Sequence, residues 1–168
     1  MPYDRLLRHR RSEPGASYHL CFCTIGRIPL LKHTDAAQIV VAAIEEQAIL
    51  GHCINHAWVL MPDHVHWLLS LTKSRPLSLV VAACKANSAR MLKSQGLVDR
   101  SPWQLKYYEH QIRSDEDLQE QARYLVANPL RAGLVARLAD FRWWWAQWAS
   151  VPNGPIITES PDEDLLWK

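Results

Sequence analysis

His52-Cys53-Ile54-Asn55-His56-Ala57-Trp58-Val59-Leu60-Met61, then Pro62-Asp63, then His64-Val65-His66-Trp67-Leu68-Leu69-Ser70-Leu71, reads as two strands joined by a tight turn. Proline presets its φ angle and aspartate bonds its own backbone, so Pro62-Asp63 is turn chemistry between two apolar runs. On a strand, side chains at i and i+2 share a face. His64 and His66 therefore project together, and Val65 points the other way with the core. Two imidazoles on one face of a central strand make half of a metal site, and a third ligand must come from elsewhere. Taken alone, such a triplet is more often a pair of surface histidines.

Outward from this hairpin the elements follow in a readable order. Residues 17–25 alternate, with Tyr18, Leu20, Phe22 and Thr24 in step, and predict a strand. Residues 26–33 form a turn region around Pro29. Thr34 is expected as the N-cap of an alanine-rich helix over 36–50 that stops at Gly51. After the hairpin, Ser74-Arg75-Pro76 opens a helix to about residue 95, ended by Gly96. Residues 103–112 predict a fourth strand. Ser114 is expected to cap a helix to about residue 127, with Asp115, Glu116 and Asp117 where the helix dipole favours acids. Asn128-Pro129 interrupts it, because a residue before proline avoids the helical region, and a short helix from Pro129 ends at Gly133. Strand, helix, strand, strand, helix, strand is the split βαβ pattern. The expected class is α+β: a ferredoxin-like antiparallel sheet with helices on one face, plus an added C-terminal helix.

Composition narrows the function. Of 168 residues, 48% are hydrophobic, so the chain can bury a core and is not disordered overall. Lys+Arg is 19 against 17 Asp+Glu, which excludes a globally basic, histone-like binder but leaves room for a local basic surface. Charge is uneven. Arg5, Arg8, Arg10 and Arg11 mark a basic arm over 1–14, Lys73 to Arg100 is a basic stretch, and Glu159, Asp162, Glu163 and Asp164 mark an acidic, proline-containing tail over 151–168. A single catalytic domain is expected over 15–150 between them. No apolar run approaches the roughly 20 residues of a membrane span. The polar start lacks the apolar stretch of a signal peptide, and Cys21, Cys23, Cys53 and Cys84 form no CxxC pair, which favours reduced thiols in a cytoplasm. No GxxxxGK[ST] phosphate loop is present in the sequence.

The helix over 114–127 carries two stripes. Leu118, Ala122 and Leu125 form a core stripe, while Glu120, Tyr124 and Asn128 recur at spacing four on another face. A tyrosine there is a candidate nucleophile, and a Glu or Asn on the same face a candidate ligand. A phenol is weak at neutral pH, and a divalent cation beside it helps both phenol and phosphate. Considered alone, an amphipathic packing tyrosine is the commoner case.

The conjunction is more telling than its parts. Trp58-Val59-Leu60-Met61-Pro62-Asp63-His64-Val65-His66 resembles the histidine–hydrophobe–histidine motif of HUH single-strand nucleases. Trp103-Gln104, then Glu109-His110-Gln111-Ile112-Arg113, then Tyr124-Leu125-Val126-Ala127-Asn128-Pro129-Leu130-Arg131-Ala132-Gly133-Leu134-Val135 follow in order. This is similar to single-tyrosine transposases of the insertion-sequence type, and more closely to REP-associated tyrosine transposases. The resemblance spans residues 15–150. It implies that His64 and His66 are metal ligands, that Tyr124 is the nucleophile, and that Asn128 stands where relatives carry a polar third ligand, often Gln. It implies Mg²⁺ or Mn²⁺, and cleavage of single-stranded DNA through a 5′-phosphotyrosine link. The implied substrates are palindromic repeats folded as hairpins, and the implied setting is the cytoplasm at the nucleoid. A monomer with its tyrosine in cis is favoured, with a homodimer as the alternative.

A hairpin stem calls for phosphate contacts. Arg8, Arg10, Arg11, Lys73, Arg75, Lys85 and Arg90 are the candidates. His110 and Glu120 are candidates for supporting the metal ligands. Tyr107 and Tyr108 are rival nucleophiles but lack an Asn-Pro partner. The cluster Trp143-Trp144-Trp145-Ala146-Gln147-Trp148 is read as packing on the sheet, and Cys21 and Cys23 as buried free thiols. Two other readings compete: a hairpin-binding module with little cleavage, and an unrelated metallohydrolase built on His64, His66 and His110.

Overall fold

The computed structural model describes residues 12–113 and 117–149. Strands β1 (Ser17–Cys23), β2 (Cys53–Met61), β3 (His64–Leu71), β4 (Tyr108–Gln111) and β5 (Trp144–Ala146) form one antiparallel sheet, ordered β4-β1-β3-β2-β5. Helices α1 (Thr34–Ile49), α2 (Leu77–Ser94), α3 (Leu118–Val126) and α4 (Asn128–Arg131) complete it. β1 and β2 run the same way with β3 between them, so the split βαβ arrangement is as expected.

Alternation sorts the strands onto two faces, with a bulge between Asn55 and Ala57 of β2. Tyr18, Leu20, Phe22, Val65, Trp67, Leu69, Trp58 and Leu60 point to one side and pack under α1 and α2. Ala57, Val59, Met61 and Leu68 point to the other, where Ala122, Leu125 and Val126 of α3 cover them. The first core closes on buried polar ties: Trp67 Nε1 donates to Asn55 Oδ1 (2.9 Å) and Trp103 Nε1 to Ser88 Oγ (2.9 Å). On the α3 side, Ser17, Ser70 and His56 form a hydrogen-bonded row across β1, β3 and β2. His64, His66, His19, Cys21 and Cys23 stand on this same side, since Cys23 pairs with His64 and Cys21 with His66 in the β1–β3 register.

Several boundaries differ from expectation, each for a local reason. Thr34 lies inside α1 rather than capping it. The extended His33 takes the cap position, and its carbonyl accepts the first helical bond from Ala37 N–H. The fourth strand is shorter than 103–112. Trp103 makes only a single bridge to Thr24, and its ring is buried edge-on against Phe22. Lys85 Nζ then donates to the carbonyls of Gln104 and Leu105, which takes them out of strand pairing and leaves the Leu105 side chain in solvent. Ser114, Asp115 and Glu116 lie outside the described residues. α3 is capped by Asp117, whose carboxylate accepts from Gln119 N–H at 2.7 Å. The tryptophan cluster does pack on the sheet, but by joining it: Trp144–Ala146 pairs with β2.

Candidate active site

β3 lies between β1 and β2 and is hydrogen-bonded on both sides, so His64 and His66 stand on the central strand of the sheet. Their rings meet edge to face with centroids 5.0 Å apart. His64 Nδ1 lies 2.6 Å from Asp63 Oδ1. His66 Nδ1 lies 3.0 Å from His19 Nε2. Each Nδ1 has a hydrogen-bond partner, Asp63 for His64 and His19 for His66. Burial, then the nearby charges of His19, His64, Arg131 and Arg27, pushes His66 down to about 3, so it is neutral at physiological pH. Burial, with His110 nearby, pushes His19 down to about 4. Neutral imidazoles with a free nitrogen are the form that binds a metal.

Arg27 closes the Asp63 side. Its Nε lies 2.8 Å from Asp63 Oδ2, and its guanidinium donates to Cys23 Sγ. Arg27 is the one non-glycine residue among the described residues with positive φ, at 57°. That conformation costs about 1 kcal/mol or more, and it is held here where the side chain reaches Asp63.

α3 packs on β2 and β3, on the side that carries the imidazoles. Its core stripe is as expected, with Ala122 and Leu125 buried and Leu118 packed beside them. Tyr124 is on the outward side of that stripe and is 61% exposed. The Arg131 guanidinium stacks over its ring at 3.9 Å, while the same cation contributes to depressing His66. Arg131 thus stacks on the phenol and lies near enough to His66 for its charge to be felt there. Asn128 has a local duty. Pro129 has no N–H for the carbonyl of Leu125, and Asn128 Nδ2 donates there instead (2.7 Å), carrying the chain across the helix break. Its Oδ1 remains as an acceptor.

The two imidazoles fit a divalent cation, as far as a two-nitrogen donor set goes. Among the described residues no cluster of three or more His, Cys, Asp or Glu could hold a metal ion, so the imidazole pair alone is not a complete cage.

The other expected residues are dispersed. Glu120 is exposed one turn before Tyr124. His110 pairs directly with His19 across β1 and β4. Lys73, Arg75 and Arg90 are exposed, but α2 lies on the opposite face from the imidazoles, and Lys73 and Arg75 follow the far end of β3. Lys85, also a candidate for DNA contact, is tied down within the chain. Its ammonium is spent on two carbonyls, and partial burial lowers its pKa. Arg8, Arg10, Arg11 and the acidic tail lie outside the described residues. Cys21 and Cys23 are free thiols, partly exposed rather than buried, and burial with Cys23 alongside pushes Cys21 up to about 12. Sequence reading missed His19, Arg27 and Arg131, and took Asp63 only as a turn residue. The available signal for His19 was its place in the polar stripe Ser17, His19, Cys21, Cys23.

Residues 13–128, more than half of the chain, match the family of IS200-like transposases. The chain belongs to that family. Its curated relatives include a REP-associated tyrosine transposase of Escherichia coli K12, 28% identical over 91 residues, covering 51% of this chain and 50% of that one. A Haemophilus influenzae protein provisionally given the same name is 28% identical over 92 residues, covering 49% and 52%. These matches span about half the length of the curated relatives. The solved structure of a REP-associated tyrosine transposase bound to a REP hairpin superposes with a TM-score of 0.67 at 24% identity, covering 81% of this chain and 79% of that one. At that identity the likeness speaks for the fold. In this family member the fold sets the imidazole strand and the tyrosine helix on one side of the sheet. No helix among the described residues is long and apolar enough to cross a membrane.

Proposed function

We propose that this IS200-like transposase is a metal-dependent single-stranded DNA endonuclease and strand transferase that cuts hairpin DNA through Tyr124. The observation that carries this is the placement of His64 and His66 on the sheet side that α3 covers, with an exposed Tyr124 on α3 and the Arg131 guanidinium stacked on its ring. The hairpin-bound relative of the same fold supports palindromic hairpin DNA as the substrate class.

His64 and His66 would hold Mg²⁺ or Mn²⁺ through Nε2, with Asn128 Oδ1 as the third protein ligand. The cation, when bound, supplies Lewis-acid polarisation of the scissile phosphate. The chain's own groups do the rest. Tyr124 Oη attacks phosphorus in line, the bond from phosphorus to the 3′-oxygen breaks, and that oxygen takes up a proton as a free 3′-OH. The phenol proton passes to solvent, and the 5′ end stays on Tyr124 as a phosphotyrosine. One phosphodiester is exchanged for another, so rejoining needs no nucleotide energy. Arg131, a planar cation suited to phosphate oxygens, steadies the phenol ring and faces the developing charge. His110 and Glu120 take supporting places, His110 behind His19 and Glu120 beside Tyr124. Exposed Lys73, Arg75 and Arg90, together with Arg8, Arg10 and Arg11, are the candidates for stem phosphates. Tyr124 shares a sheet side with the imidazoles of its own chain, which supports a monomer acting in cis. Action on chromosomal repeats places the protein at the nucleoid in the cytoplasm.

The test is incubation of a palindromic hairpin oligonucleotide with Mn²⁺. A denaturation-resistant adduct is expected, absent in Tyr124→Phe, which still shifts the hairpin on a gel. A shift with no adduct in the parent protein would favour a binding module. Cleavage that survives Tyr124→Phe would favour a metallohydrolase.

A further inference from the structure

We infer that His19 is a positioning residue for metal binding: it accepts the Nδ1 proton of His66, fixes that ring in one tautomer, and so keeps His66 Nε2 available as a ligand. The inference deepens the functional reading above and rests on it.

A neutral imidazole carries one proton on two nitrogens, and only the bare nitrogen binds a metal. His64 has a simple solution. Asp63 is an acceptor when ionised, so it selects the Nδ1–H form and leaves Nε2 bare. Among the described residues no carboxylate pairs with His66 Nδ1. Its Nδ1 partner is the ring of His19, at 3.0 Å. Two imidazoles in contact can share one hydrogen bond in either sense. If His19 donates from Nε2, His66 must carry its proton on Nε2, and that nitrogen is closed to a metal. If His19 accepts at Nε2, His66 carries its proton on Nδ1 and Nε2 opens. Only the second sense makes the two rings of β3 equivalent, both presenting Nε2. It requires His19 to hold its own proton on Nδ1, the nitrogen turned away from His66.

The strand geometry explains why a residue of β1 can do this. His19 lies diagonal to His66 in the antiparallel register, two residues from its direct partner Cys21. Diagonal neighbours are in reach of long and aromatic side chains. The rings lie 5.2 Å apart and tilted by 42°, which suits an in-plane nitrogen contact better than stacking. The Tyr108 ring meets His19 edge-on from β4, with centroids 6.2 Å apart, so His19 is held from both neighbouring strands.

The test has two measurements on metal-free and Mn²⁺-titrated protein. Long-range nitrogen–proton NMR of the metal-free chain reads the tautomer of His66 directly. A protonated Nδ1 and a bare Nε2 are expected; the opposite pattern in the parent protein overturns the inference. Calorimetric Mn²⁺ titration then compares His19→Leu with His19→Gln. Loss of an outer hydrogen-bond partner costs about ten- to hundredfold in metal affinity. His19→Leu should show that loss, and His19→Gln, whose side-chain oxygen still accepts, should regain most of it. Hairpin affinity in chelator should be the same for all three, which a general loss of structure would not allow. Equal Mn²⁺ affinity in the parent and His19→Leu proteins overturns the inference. A parent protein that binds Mn²⁺ only as weakly as a His64→Ala/His66→Ala control would overturn the functional reading instead.

Discussion

Lowering the pH of the metal-free protein should destabilise it well before its carboxylates titrate, and His19 and His66 set the amount. Their folded values, about 4 and about 3, lie below the ordinary histidine value of 6.5. As pH falls through 6.5, the unfolded chain takes up protons that the folded chain refuses, so stability falls with pH. It stops falling on this account only below the folded values. At about pH 5 both side chains are still neutral in the fold, and each costs RT ln(1 + 10^1.5), about 2 kcal/mol relative to about pH 7.5. Together they cost about 4 kcal/mol, a large fraction of the roughly 5–15 kcal/mol available to a domain. His56, also lowered by burial, adds in the same direction. Urea unfolding in chelator at the two pH values measures the loss. The His19→Gln/His66→Gln protein should lose about 4 kcal/mol less between the same two values, whatever its starting stability. Equal losses in parent and double variant would refute the reasoning, because they would mean that neither imidazole is held neutral by the fold.

Other expectations follow from single contacts. Leu125→Ala empties a fully buried position under α3 and should cost about 2–5 kcal/mol in urea unfolding, with adduct formation falling in parallel. Lys85→Met should lower stability while leaving the salt dependence of hairpin binding unchanged, because the ammonium is bonded to Gln104 and Leu105; a shallower salt slope would return Lys85 to the DNA surface. Arg131→Gln should slow single-turnover cleavage by about 10²–10³-fold with little change in hairpin affinity, the scale of losing one preorganised donor at a developing charge.

What was legible in the sequence was local. The Pro62-Asp63 turn and the period-two pattern placed β3 at His64–Leu71 as expected, and put His64 and His66 on one face. The Leu118, Ala122, Leu125 stripe gave the inner side of α3, and so the outward side of Tyr124. What was hidden was pairing between distant segments. His19 reaches His66 only because β1 lies beside β3 in one register, 47 residues apart in sequence. β5 was hidden for another reason. Trp143 and Trp145 pack against the α1–α2 core and Trp144 against the α3 core, so both sides of the strand are apolar and no alternation shows. Asn128 carried two readings in one letter, helix repair for Pro129 and ligand, and only the first is a contact within the chain.

The family match ends at residue 128, yet β5 comes later, at Trp144–Ala146. A fragment trimmed to the match would strip β2 of its outer neighbour and bare the apolar run Ala57, Trp58 and Val59 that β5 pairs. Bare apolar rims of that kind recruit other chains, whereas the native sheet ends at both margins in strands of only three and four residues. The tryptophan-rich strand thus covers part of an edge that would otherwise be open to pairing, and a fragment meant to stay monomeric has to carry it.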